Sequence, residues 1–217
     1  GNGTQNLFIA PAPKGKELNL KDVKQITSLT NGEQIYSPKW SPDSKNIVFD
    51  YSKQDLREIA EVNAETGEMR FIFSDPAVDF RSPVYSKDGA SIYFASDLTG
   101  IFNIYKYDLI NDARMSKESS IAYMNQLTNV IGGAFMPSAD SSGNLTFASW
   151  QSSGYKINEL DNYVVLDSLI VMNNAVYNRP EKLIGKYSSE NDSNSSASKN
   201  KFDWPRIKNY NDDNPLI

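Results

Sequence analysis

The stretch SPKWSPDSKNIVF (residues 37–49) is restated as SPVYSKDGASIYF (residues 82–94), 45 positions further on. Pro38 falls on Pro83, Trp40 on Tyr85, Ser41 on Ser86 and Asp43 on Asp88, while Ile47 and Phe49 fall on Ile92 and Phe94. Each copy runs through a proline and an aromatic into a turn, Pro42-Asp43 in the first and Lys87-Asp88-Gly89 in the second. Proline pre-sets φ, aspartate bonds back to the backbone, and glycine accepts a left-handed exit. Ser44 stands where the second copy has Gly89, a strain of about 1 kcal/mol if the geometry is shared. The run that follows, IVF or IYF, places Ile and Phe on one face by the two-residue period of a strand.

The repetition extends outward. Ile59 of LREIAEV meets Ile104 of FNIYKYD at the same offset. A third copy runs 53 residues behind the second: Leu145, Phe147 and Ser149 match Ile92, Phe94 and Ser96, and Ile157 matches Ile104. The added length falls mainly in NDARMSKESSIAY, a polar insertion. A half-copy opens the chain, where GTQNLFI (3–9) parallels GIFNIYK (100–106) and QIT (25–27) parallels QLT (126–128). Each copy reads as four short strands, and four antiparallel strands repeated every ~40–45 residues are the pattern of a β-propeller. One such sheet cannot bury both faces alone, so stacking is expected to bury the Ile/Phe rows together with Trp40 and Tyr85 between neighbouring blades. The expected fold is all-β, a partial β-propeller of four-stranded antiparallel blades followed by an extended Ser/Asn-rich tail. Residues 1–161 hold about three and a half blades, 162–187 a packing segment, and 188–217 a flexible linker with an aromatic docking segment. Closed propellers have about 4–8 blades, so further blades are expected upstream.

PKWSPDSKNIVFDYS and PVYSKDGASIYFASDLTGIFNIYKYDL resemble the propeller repeats of the Tol-system periplasmic protein TolB, a pattern shared with tricorn-type and prolyl-oligopeptidase-type propellers. Asp97-Leu98-Thr99-Gly100, Ile104-Tyr105 and Leu127-Thr128 fit that pattern. The first blade departs from it at Ser44 and YSKQDLREI, and the third at MPSADSSG, which lacks the aromatic. The resemblance covers roughly residues 3–161. It implies a non-catalytic interaction module of the bacterial envelope, periplasmic or at the cell surface and associated with the outer membrane. The partners it implies are other envelope proteins, including an outer-membrane β-barrel domain or subunit beyond the tail. The alternative is the substrate-gating propeller of a serine peptidase whose catalytic domain is not in this chain.

The composition narrows the chemistry. With 22 basic and 27 acidic residues in 217, the net charge is -5, and no basic stripe invites nucleic acid. No apolar run reaches the ~18 residues of a membrane-spanning helix. The chain has neither cysteine nor histidine, which excludes disulfides, thiolate zinc sites and a Ser-His-Asp or Cys-His nucleophile built from these residues. No cofactor and no metal site is expected. The turn residues Asp43 and Asp88 read as structural, since catalysis would not need a copy per blade. Asp50, Asp55, Asp97 and the pair Asp212-Asp213 are the other carboxylates considered.

Propellers recognise partners through the loops at one end of the sheets. Here those loops are NGEQIY (31–36), DPAVDFR (75–81) and NVIGGAF (129–135), with DYSKQDL, SDLTG and WQSSG beside them. Tyr36 and Arg81 are equivalent by the 45-residue offset. Tyr, Trp and Arg are enriched at interface hot spots, so Tyr36, Arg81, Phe135 and Trp150 form the candidate protein-binding set.

Overall fold

Proline cannot donate to a strand ladder, and the three prolines that open the repeats show how the chain accommodates this. In a computed structural model that describes residues 3–12, 15, 19–53, 56–75, 77–110, 123–140, 142–160, 163, 165 and 166, each proline sits in the same β-bulge. Strand β3 (Gln34–Trp40) pairs with β4 (Asn46–Ser52), and the register slips by one residue between Tyr36 and Lys39. The slip recurs between Arg81 and Val84, where β7 (Phe80–Tyr85) meets β8 (Ser91–Ser96), and between Phe135 and Ser138, where β11 (Ala134–Ala139) meets β12 (Leu145–Gln151). The residue before each proline takes a left-handed backbone: Ser37 at φ 49°, Ser82 at 53° and Met136 at 52°. An extra residue inserted this way sharpens the local twist and turns an amide out of the ladder.

Each sheet is an antiparallel meander. The order β3-β4-β5-β6 is completed by β5 (Glu58–Asn63) and β6 (Met69–Phe73), and β7-β8-β9-β10 by β9 (Asn103–Asp108) and β10 (Asn125–Gln126). The last sheet is β11-β12-β13, with β13 at Gly154–Leu160, and the first is the pair β1 (Phe8–Ile9) and β2 (Lys24–Gln25). The first strands of successive sheets pack side by side, β3 on β7 and β7 on β11. That is the arrangement of propeller blades around an axis. The fold is therefore all-β and a partial β-propeller. The chain divides into a unit of Gly1–Asn178, which holds the sheets of the described residues, and one of Arg179–Ile217. The tail segments 167–187 and 188–217, and most of the NDARMSKESSIAY insertion, lie outside the described residues.

Turn chemistry repeats with the bulge. Ser41 Oγ donates to Asp43 Oδ1 at 2.7 Å and accepts the Asn46 amide at 2.9 Å; Ser86 does the same with Asp88 and Ser91 at 2.6 and 2.9 Å. In the last sheet the turn is one residue shorter, and the carboxylate of Asp140 takes both amides itself, from Ser142 at 2.7 Å and Asn144 at 2.9 Å. Ser44 does adopt the left-handed exit, at φ 59° against 71° for Gly89.

Among the described residues, three clusters fill the spaces between sheets. Ile47, Phe49, Ala60 and Val62 face the β1-β2 pair through Ile26, with Leu7 and Ile9 alongside. Val48, Ile59 and Ile72 face Phe80, Ile92, Phe94 and Tyr105 of the next sheet. Phe73 is the hub of that interface, with ring centroids 4.9 Å from Phe94 and 4.7 Å from Tyr107. Tyr93, Ala95 and Ile104 face Ala134, Leu145 and Phe147 of the last sheet. Each fully buried side chain of this size contributes about 1.5–3 kcal/mol of transfer free energy.

The expectation for Trp40 is overturned. Its equivalent Tyr85 is 5% exposed and donates its hydroxyl to Glu61 Oε1 across the sheet boundary at 2.5 Å, whereas Trp40 is 48% exposed. The cause is positional: Tyr85 is covered by a long third strand of the preceding sheet, while the sheet before Trp40 offers two two-residue strands among the described residues. At the next boundary the first strand carries Ala139 where β7 has Tyr85, and Tyr163 packs against that cluster with its hydroxyl 2.8 Å from that of Tyr93.

Candidate functional site: a row of stacked side chains

The residue just before each bulge meets a residue at the entry of the third strand of its own sheet, Arg57 and Phe102 just ahead of the strand and Tyr155 in its first two residues. In the second sheet the Arg57 guanidinium lies over the Tyr36 ring, 3.9 Å from its centroid. In the third sheet the roles exchange and Arg81 lies over Phe102 at 5.0 Å. In the last sheet both partners are aromatic, Phe135 and Tyr155, with centroids 6.3 Å apart. A cation above a ring face and an edge-to-face ring pair both exploit the same ring quadrupole, so one packing slot accepts either chemistry.

Carboxylates tie the slots together. Asp79 accepts the Arg57 amide on Oδ1 at 3.1 Å and the Arg81 side chain on Oδ2, where Arg81 Nε lies at 2.8 Å. Its own amide donates to Asp97 Oδ1 at 2.8 Å. Asp50 is fully buried; its Oδ2 accepts from Arg57 at 3.0 Å and its Oδ1 accepts the Ser82 amide, freed by the bulge, at 2.8 Å. Burial raises the Asp50 carboxyl to about 6, a rise that the hydrogen bonds from Arg57 and Ser82 only partly offset. Phe102 then joins the third sheet to the last through Phe135, with centroids 5.3 Å apart.

All four expected residues therefore lie along one row. Tyr36, Arg81 and Phe135 occupy the same strand position in three successive sheets, and Trp150 joins Phe135 through Tyr155, whose ring is 4.9 Å from the Trp150 ring. Arg57, Phe102 and Tyr155, the partners in each slot, were not singled out from the sequence, although the same offsets align them. Phe135 folds back over Gly133, which sits at φ 96° and where a Cβ would lie 2.6 Å from the ring. A Cβ at Gly132 would lie 2.0 Å from the Trp150 carbonyl oxygen. Beside Trp150 runs a groove of about 530 Å³ lined by Val130, Ile131, Gly132, Ser149 and Gln151. Tyr155, Ile157 and Trp150 are exposed on this last sheet, whereas the counterparts of Ile157, Ile59 and Ile104, are fully buried.

Among the described residues no group of three or more His, Cys, Asp or Glu could hold a metal ion. Asp55 and the Asp212-Asp213 pair lie outside the described residues. No helix among the described residues is long and apolar enough to cross a membrane.

The bulged antiparallel sheets, two of them four-stranded, and their side-by-side first strands define a β-propeller, and solved structures place it more closely. The chain is similar to a TolB-type protein of Agrobacterium tumefaciens, with a TM-score of 0.52 and 20% identity over 67% of this chain and 52% of that one. It is also similar to TolB of Acinetobacter baumannii, with a TM-score of 0.55 and 22% identity over 73% of this chain and 36% of the other. A puromycin-hydrolyzing peptidase of Mycobacterium tuberculosis matches at a TM-score of 0.50 and 16% identity, over 69% of this chain and 24% of its own. No family model matches the chain. The fold is that of TolB-like propellers, and the chain spans about half or less of the length of these three proteins.

Proposed function

We propose that this chain is a non-catalytic protein-interaction propeller of the bacterial cell envelope, part of a larger periplasmic or surface assembly associated with the outer membrane. The observation that carries this reading is the row from Tyr36 to Trp150. It sets aromatic and guanidinium groups, the residue types favoured at hot spots, along one end of adjacent strands. Each guanidinium is braced by a carboxylate, so the row is held rigid and loses little side-chain freedom on binding. The TolB-like fold supports the envelope setting. Other envelope proteins are the partners, among them an outer-membrane β-barrel domain or subunit. Nucleic acid is not, given the net charge of -5.

Site-specific photo-crosslinking tests the reading. A photoreactive residue at Tyr36, Arg81 or Trp150 is expected to give covalent adducts with an envelope protein in cells. The same residue at Thr66, in the turn between β5 and β6, is expected to give none. Equal adducts at all four positions, or none at any, would remove the row from consideration.

The peptidase neighbour supports a second reading, in which the chain is the substrate-gating propeller of a serine peptidase. The two readings part on one measurement. A fluorophosphonate probe applied to the native full-length protein labels a serine if the gating reading holds and leaves the protein unlabelled if it is an interaction module.

A further inference from the structure

The two oxygens of the Asp50 carboxylate serve different parts of the molecule. Oδ2 holds Arg57, which leads into the third strand of the same sheet and covers Tyr36, while Oδ1 holds the bulge amide of Ser82 in the neighbouring sheet. The interface does not require an acid at this place. The corresponding positions of the next two sheets are Ala95 and Ala148, and Ala95 is fully buried in an interface that closes around apolar contacts. An ionised carboxylate with no exposure is costly unless paired, so its presence at one boundary needs a reason beyond packing.

Among the described residues, the groups that surround it are few. Tyr36 faces it from β3 as its register partner, Arg57 lies on the segment entering β5, and Arg81 and Asp79 stand on β7 and the loop before it. Glu58, at the start of β5, is engaged by the Ser74 hydroxyl. Arg57 is the cation in direct contact with Asp50, and its side chain is 26% exposed, so it can take water in place of the carboxylate. Arg81 is paired with Asp79.

The geometry points to a charge switch: ionised Asp50 locks Arg57 onto Tyr36 as a neutral pair, and protonated Asp50 releases Arg57 as an uncompensated cation at the contact row. The switch regulates the row put forward above as the binding surface, but it operates within the chain and requires no partner. Burial supports it by holding the carboxyl at about 6, within the range that mild acidification crosses.

Nuclear magnetic resonance on the whole chain tests the switch, following the Asp50 carboxyl carbon and the Arg57 Nε–H from about pH 8 to about pH 4. The expected result is an Asp50 midpoint near 6 with the Arg57 signal moving along the same curve. Arg57→Gln is expected to move the Asp50 midpoint upward, because the strongest group favouring ionisation is gone. Asp50→Asn is expected to leave the Arg57 signal flat across the range. An Asp50 midpoint at the ordinary aspartate value, or an Arg57 signal that stays still while Asp50 titrates, would overturn the proposal. Neither outcome would touch the partner-binding reading, which photo-crosslinking decides separately.

Discussion

Arg57 sits 3.9 Å over the centre of the Tyr36 ring, and one sheet later Arg81 covers Phe102 with the partners exchanged. The exchange shows that the propeller conserves a contact between two strand positions and not the residue at either. What the slot requires is a flat ring face opposite a flat cation or a second ring. The row of contacts follows from strand register, and register follows from the bulge each proline imposes.

Burial separates chemically equal isoleucines. Ile104→Ala is expected to cost about 2–5 kcal/mol, as truncations in a closed core do. Ile157→Ala, at 87% exposure, is expected to change stability by less than about 0.5 kcal/mol. Urea unfolding of the two variants checks this; equal losses would show that Ile157 is covered in solution.

The Trp40 and Tyr85 pair makes the same point for aromatics. Trp40→Ala is expected to cost under about 1 kcal/mol, as for a surface position, and Tyr85→Ala about 3–5 kcal/mol. Thermal or chemical denaturation would settle the ranking, and a larger loss at Trp40 would contradict the exposure found for it.

Stability should carry the mark of Asp50. Its carboxyl is raised from the ordinary 3.8 to about 6 in the folded chain. Between those values the unfolded chain gives up the proton and the folded chain keeps it, so stability falls as pH rises through that window and levels off above it. Asp50→Asn has no such proton to lose. The difference in unfolding free energy between wild type and this variant should therefore vary from about pH 4 to about pH 6 and stay flat above. A difference that is constant from acid to neutral pH would show that the site does not bind the proton more tightly when folded.

Gly133 combines a left-handed backbone with a ring resting on its α-carbon. Gly133→Ala is expected to cost more than about 1 kcal/mol from the backbone alone, and to displace Phe135. The displacement should be visible as loss of the ring-current shifts between Phe135 and Tyr155. An alanine variant with unchanged shifts and stability would mean that the loop relaxes freely.

Local chemistry was legible in the sequence because each piece needs only near neighbours. The Ser–Asp turn, the left-handed exit at Ser44 and the two-residue alternation of Ile and Phe are set within a dozen residues, and their recurrence at 45 positions gave the sheet as the unit. The end of the sheets that carries Tyr36 and Arg81 followed from the same count. Three things rest on the tertiary structure. Trp40 and Tyr85 are equal in sequence context, and which of them is buried depends on how much sheet lies in front of it. Arg57, Phe102 and Tyr155 meet their partners through a register shifted by the bulge, which no spacing along one strand reveals. Asp50 differs from the other carboxylates only through its burial and its two partners, Arg57 and the Ser82 amide. The sequence by itself determined the repeating strand and turn, since backbone preferences and side-chain alternation act over short range. The tertiary structure decided which equivalent residues are covered and which acid is charged at a cost, since burial and Coulomb interactions depend on sheets brought together from distant parts of the chain.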